Sequence, residues 1–186
     1  CSKAPFDNPK VRKAVSLALD TVGIQKAVWR GVGKAPVAPI APNILYAIKD
    51  AKPHVQDVEA AKKLLAEAGV KLPLNVQIWT NERKERIDMA TIIQSQLEEV
   101  GIKAEIKVLE WGAYLDGLKQ KTHDMFILGW VASVPDPEFA VSGVFHSSMV
   151  GSTNFSYFVN PDVDKMMEQG KALPNGPERE KLYKDL

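Results

Sequence analysis

Leu74-Asn75-Val76-Gln77-Ile78-Trp79-Thr80, the run Arg83 to Val100, and Ile102-Lys103-Ala104-Glu105-Ile106-Lys107-Val108-Leu109 carry the strongest organisational signal in the chain. The first segment is short and mostly apolar, with flanks that favour turns, and reads as a strand. In the second, Met89, Ile92, Ile93, Gln96, Leu97 and Val100 recur at helical spacing with one polar member, and Gly101 stops the helix. In the third, Ile102, Ala104, Ile106 and Val108 alternate with charged residues, the period of a strand. Strand, helix and strand in this order make a βαβ unit. An α/β fold with a mixed or mostly parallel sheet follows, with Leu74–Thr80 and Ile102–Leu109 parallel, adjacent or nearly so, and joined by a right-handed crossover.

Upstream, Asn8-Pro9 reads as an N-cap and first helical position, followed by an apolar face of Val11, Ala14, Val15, Ala18 and Leu19. Ile24 to Trp29 predicts a second short helix. Pro36, Pro39 and Pro42 then forbid regular structure until about residue 55. Asp57 caps a helix marked by Val58, Ala61, Leu64, Leu65 and Ala68 and closed by Gly69. Downstream, Trp111, Tyr114, Leu115 and Leu118 predict a helix, Asp124 to Trp130 a buried strand, and Ser133 to Pro137 a turn-rich loop. Helices start again at Asn160-Pro161 and near Pro177, the last still running at Leu186. The abrupt start and end predict a piece of a longer protein.

Length and composition remove several function classes. At roughly 150 residues per domain, 186 residues make one domain or a little more. With 24 basic against 23 acidic side chains, no net field selects nucleic acid or an anionic membrane. The longest apolar run, Met125 to Ala132, is far short of the roughly 18 residues that suggest a membrane span. One cysteine makes neither an internal disulfide nor a thiolate metal site.

Catalytic motifs are equally sparse. There is no G-x-S-x-G elbow, and His54, His123 and His146 each stand without a second ligand at helical spacing, so they read as exposed loop residues and no metal or cofactor is expected. Gly31-Val32-Gly33-Lys34 lacks both the spacing of a phosphate loop and a preceding strand. Asn154-Phe155-Ser156 satisfies the glycosylation triplet and is assigned no function. Glu82-Arg83-Lys84-Glu85-Arg86 could grip an anion at the start of the following helix, but its alternating signs also describe a solvated helix entry.

Two tryptophans sit just beyond predicted strands, Trp111 after Ile102–Leu109 and Trp130 at the end of Asp124–Trp130. Ligands of open α/β sheets bind beyond the carboxyl ends of strands, and Thr80 and Asn81 share that edge if the strands are parallel. The tryptophans either line such a site or plug the rim of the core.

Pro5-Phe6-Asp7-Asn8-Pro9-Lys10-Val11-Arg12-Lys13-Ala14 with Ala18-Leu19-Asp20 resembles the "PFDNxxVRxAxxxAID" segment of the family 5 bacterial extracellular solute-binding proteins, receptors of ABC importers for dipeptides, oligopeptides, glutathione and nickel. The similarity continues in order. Ala60 to Gly69 resembles "AKxLLxEAG", Gln94 to Ile102 "IQxxLxxxGI", Glu110 to Tyr114 "EWxxY", and Gly129-Trp130 through Pro137 "GWxxDxxDP". Asn154 to Asp164 resembles "NxSxYxNPxxD" and Glu178 to Tyr183 "xRxxLY".

The resemblance implies a type II periplasmic-binding-protein-like fold, with residues 1–186 forming most of the C-terminal ligand-binding lobe of a larger two-lobed receptor. The N-terminal lobe and the final strands are then missing, and Cys1 is an internal residue rather than the lipid-bearing start. It implies a non-enzymatic, extracytoplasmic protein, periplasmic or at the cell surface, that takes a peptide-like or other polar solute and hands it to ABC permease subunits, with no nucleic acid partner. Trp111, Trp130, Ser133, Thr80 and Asn81 are its expected ligand-binding residues. Peptide receptors of the family place an Asp where this chain has Ser133 and an Arg near Thr80, so both charged anchors are neutral here. An ordinary dipeptide is thereby disfavoured, while the "GWxxS" of glutathione-type receptors keeps a modified peptide open, as it does sugars, opines and metal chelates. The alternatives are a fragment of an α/β enzyme whose catalytic residues lie outside this chain, or a chaperone-like or adhesion protein that recognises extended polypeptide.

Overall fold

Helix α1 (Pro9–Ala18) begins where the sequence predicts, with the Asn8 side chain accepting from the Lys10 N–H at 2.9 Å and Pro9 in the first helical position. Helix α2 (Thr21–Trp29) starts at Thr21 rather than Ile24, because Asp20 caps it through the Gly23 N–H at 2.8 Å. In the computed structural model, which describes residues 1–186, no helix or strand follows until α3 (Val58–Glu67), capped by Asp57 and released at Gly69, whose φ is +68°.

Strand β1 (Leu74–Asn81), helix α4 (Lys84–Glu98) and strand β2 (Ile102–Leu109) form the expected βαβ unit. The two strands are parallel neighbours, in register from Leu74 opposite Ile102 to Asn81 opposite Leu109. Helix α5 (Trp111–Lys119) follows, its N-terminus capped by Glu110, and then β3 (Met125–Phe126) joins the other side of β1. All three strands are parallel, in the order β2-β1-β3.

The strand expected over Asp124–Trp130 is shorter than that. Pairing covers only Met125 and Phe126, with one further bond from the Ile127 N–H to the Trp79 carbonyl at 2.9 Å. At its start the Asp124 carboxylate accepts from the Gln77 N–H at 2.9 Å and pairs with Lys3 at 2.6 Å, so a side chain takes the place of a ladder bond. After Leu128 the chain passes into a second compact unit.

One unit comprises Ser2–Ala35 and Pro53–Leu128 and holds the sheet. Val76 and Ile78 face Ala90 and Leu97 of α4 together with Val11 and Leu65, and the fully buried Leu65, Ile78 and Leu97 are each worth about 1.5–3 kcal/mol over leaving them exposed. Trp79, one position out of phase, lies on the opposite face against α5, where Gly117 leaves it room that a methyl group would fill. Buried on both faces here, β1 is the central strand of an α/β layer.

The other unit comprises Pro36–Lys52 and Gly129–Leu186, with Cys1. Its helices are α6 (Pro137–Phe145), α7 (Pro161–Ala172) and α8 (Pro177–Asp185), with a single 3-10 turn at Ser147–Met149. Ile40 and Ile44 pack with Val141, Met167 and Tyr183 in a core of its own. Asn154 is fully buried and donates to the carbonyls of Phe145, His146 and Phe158, so the glycosylation triplet is a structural clasp.

Candidate functional site at the carboxyl edge of the sheet

Parallel strands put their carboxyl ends on one edge, the place where open α/β sheets bind ligands. Asn81 ends β1 opposite Leu109 of β2, and Trp111 opens α5 two residues after Leu109, so both lie at this edge. A residue from the charge run links them. Arg86, in the first turn of α4, donates Nη1–H to Asn81 Oδ1 at 3.0 Å, and its guanidinium carbon stands 5.9 Å from the centroid of the Trp111 ring. The ring of Tyr114 lies 6.0 Å from that of Trp111, and its hydroxyl donates to the Ile127 carbonyl just past β3 at 2.9 Å. Burial pushes the Tyr114 hydroxyl up to about 12, against the opposing pull of the Arg86 charge, so it stays a neutral donor.

Thr80 has no accessible surface. It lies on the Val76 and Ile78 face, one residue behind Asn81, and its Oγ1 has no hydrogen-bond partner. Trp111, by contrast, is 45% exposed. The Glu110 carboxylate beside it accepts from the Gly112 and Ala113 N–H groups at 2.8 and 3.2 Å, and these bonds hold it below the usual carboxylate range. Its charge thereby compensates the start of α5.

Trp130 and Ser133 belong to the other unit. Trp130 is 46% exposed, its indole lying on Gly143 of α6 and its Nε1–H donating to the Phe139 carbonyl at 3.1 Å. With Glu138, Phe139, His146 and Lys171 it lines a groove of about 450 Å³. Ser133 is exposed in the loop before α6. Neither tryptophan is a buried plug, although Trp130 rests one side of its ring on a helix.

The histidines are not exposed loop residues. His123 is buried, its ring 5.1 Å from that of Phe126, and His54 bonds the Leu19 carbonyl at 3.0 Å. His146 stands 3.9 Å from Asp164 and 3.7 Å from Glu168. No group of three or more His, Cys, Asp and Glu side chains is arranged to hold a metal ion.

The family model for bacterial extracellular solute-binding proteins, family 5 Middle, matches residues 1–152. The chain belongs to this family. Among curated relatives, probable di/tripeptide-binding protein 5 of Pseudomonas aeruginosa is 35% identical over 185 residues, which cover 96% of this chain and 35% of the relative. Heme-binding protein A of Haemophilus influenzae is 33% identical over 189 residues, covering 98% of this chain and 34% of the relative. Among solved structures, the ABC transporter-associated periplasmic binding protein DppA from Helicobacter pylori, in complex with the peptide STSA, superposes with a TM-score of 0.91 at 30% identity, over 97% of this chain and 36% of its own. This family 5 chain therefore spans about a third of the length of its relatives, and its α/β fold is that of the type II periplasmic binding proteins. No helix in it is long and apolar enough to cross a membrane.

Proposed function

We propose that this chain is part of the substrate-binding component of an ABC importer, one that captures a peptide-like or other polar solute outside the cytoplasm and delivers it to permease subunits. Binding does the work and no bond is made or broken. The observation that carries this reading is the cluster of Asn81, Arg86 and Trp111 at the carboxyl edge of a parallel sheet in a family 5 chain. A half-exposed indole offers apolar or planar contact worth about 0.5–1.5 kcal/mol beyond area burial, and Asn81 offers a hydrogen bond worth about 0.5–1.5 kcal/mol net. Thr80 serves as the wall behind Asn81.

Residues 1–186 are, on this reading, most of the C-terminal lobe of a two-lobed receptor, periplasmic or at the cell surface, whose N-terminal lobe completes solute capture. Trp130 and Ser133 are proposed as solute contacts on the evidence of their exposure and of the groove that Trp130 lines. The test is native mass spectrometry of the full-length receptor as purified, followed by calorimetry of Trp111→Ala with the solute released. A bound small molecule whose affinity falls about tenfold in the variant supports the reading. Turnover of that molecule by the receptor would contradict it.

A further inference from the structure

We propose that the groove beside Trp130 takes a guanidinium or similar planar cation carried on a side chain of the solute, an inference that rests on Trp130 being a solute contact. The groove lies along α6 and α7 within one compact unit, and its volume of about 450 Å³ is many times the roughly 30 Å³ that one water occupies. One side of the indole rests on Gly143 and its Nε1–H is spent on the Phe139 carbonyl, so what it offers a ligand is its other face. Such a face attracts cations, and a guanidinium stacks flat on it. Phe139, Met149 and Met167 add apolar wall along which an aliphatic stem can lie.

The charges of the groove fit such a group. Glu138 and Glu168 supply two carboxylates and Lys171 one ammonium. Glu138 is half-buried, and its carboxylate has neither an ion pair nor a hydrogen bond. Arg179, the one arginine of this unit, is committed to Asp136, Asn175 and the Gly170 carbonyl. Lys171 follows Glu168 by one turn of α7 without pairing with it. His146 does not make up the difference. Its Nδ1 accepts from the Ser148 N–H at 3.1 Å, which leaves the ring proton on Nε2 and the ring neutral. Nε2 in turn stands 3.7 Å from Glu168 Oε1, beyond hydrogen-bond range. The groove therefore keeps one carboxylate in excess, and a partly desolvated carboxylate without a partner is costly. A guanidinium meets both features at once, with its plane against the indole and its N–H fork toward the carboxylate. A neutral side chain satisfies the aromatic face alone.

The experiment is calorimetry of the full-length receptor, freed of endogenous solute, with Ala-Arg, Ala-Lys and Ala-citrulline. Citrulline has the shape of arginine without its charge, and all three peptides carry the same free termini, so their ratios do not depend on how the termini are held. Wild type should bind Ala-Arg about tenfold to a hundredfold more tightly than Ala-citrulline, with Ala-Lys in between. Glu138→Gln should bring that ratio close to one by weakening Ala-Arg alone. Lys171→Gln should raise the ratio by removing the competing cation, a gain that a merely structural role for the groove does not give. Unchanged affinity for Ala-citrulline in both variants separates lost recognition from lost structure. Equal affinities for Ala-Arg and Ala-citrulline in wild type, or a ratio that survives Glu138→Gln, overturn the proposal while leaving solute binding intact. If wild type takes none of the three peptides, the co-purifying solute decides. One without a basic group overturns the assignment, as does a basic one that Glu138→Gln holds as tightly as wild type, and a basic one that the variant releases upholds it.

Discussion

Arg179 and Asp136 meet through two parallel hydrogen bonds, Nη1–H to Oδ2 at 2.8 Å and Nη2–H to Oδ1 at 2.7 Å. The same guanidinium donates Nε–H to the Gly170 carbonyl at 2.7 Å and lies 5.1 Å from the Tyr183 ring centroid. One buried arginine on α8 thus holds the N-cap of α6 and the last turn of α7 together.

Removing that arginine leaves a carboxylate without its partner. Arg179→Met should destabilise the protein by about 3 kcal/mol, the low end for a broken buried pair because Asp136 keeps some access to water. Chemical denaturation read by tryptophan fluorescence measures it, and a loss within about 0.5 kcal/mol, the level of ordinary surface substitutions, would mean the pair is not structural.

The pair also gives a pH dependence. Hydrogen bonding to Arg179 holds the Asp136 carboxyl below its ordinary value of 3.8, so the unfolded chain binds its proton first as pH falls. Its contribution is fully present above about pH 4 and is lost as pH drops through the lower folded value. Asp136→Asn keeps a side-chain oxygen to cap α6 but cannot titrate. Its stability should therefore fall less steeply than wild type between about pH 4 and pH 2 in urea titrations. Parallel acid limbs would assign the pH dependence to other carboxylates.

Trp130→Ala in the full-length receptor should weaken solute binding about tenfold or more, equal to about 1.4 kcal/mol, and barely change the melting temperature. Gly143→Ala tests the seat of the same ring. The added methyl would overlap the indole, so the ring must move, at a cost of about 1–3 kcal/mol if it stays packed. A fluorescence spectrum identical to wild type in Gly143→Ala would show that the ring does not rest on α6.

Ser133→Asp places a negative charge in the exposed loop before α6. Relative affinity for amine-bearing over amine-blocked ligands should rise, and calorimetry with both forms reads it directly. No change in that ratio would place Ser133 away from the solute.

The βαβ unit was legible because two signals with different periods adjoin, an alternation in Ile102–Leu109 and a helical stripe in Arg83–Val100. Helix α6 was not. Pro137 to Phe145 is apolar almost all round, with Gly143 in the middle, so no stripe stands out, and the helix depends on the Asp136 cap and on burial of Ala140 and Val141. Asp124 to Trp130 looked like a longer strand because its apolar run carries no information about where its ladder partner ends. Arg86 was hidden for an electrostatic reason. In a run of alternating charges the pairing is set by side-chain geometry, and only the contacts reveal which cation is left over.

Ile40 and Ile44 complete their core with Val141, Met167 and Tyr183. During synthesis these isoleucines leave the ribosome long before their partners, with Tyr183 following Ile44 by about 140 residues, or roughly 7 to 28 seconds at ordinary elongation rates. For that interval the Pro36–Lys52 segment has no native apolar partner elsewhere in its own unit, while the residues of the sheet unit are already being made. Newly made chains should therefore be most open to holding chaperones at this early segment, and a pause in translation between Lys52 and Gly129 would lengthen the exposure.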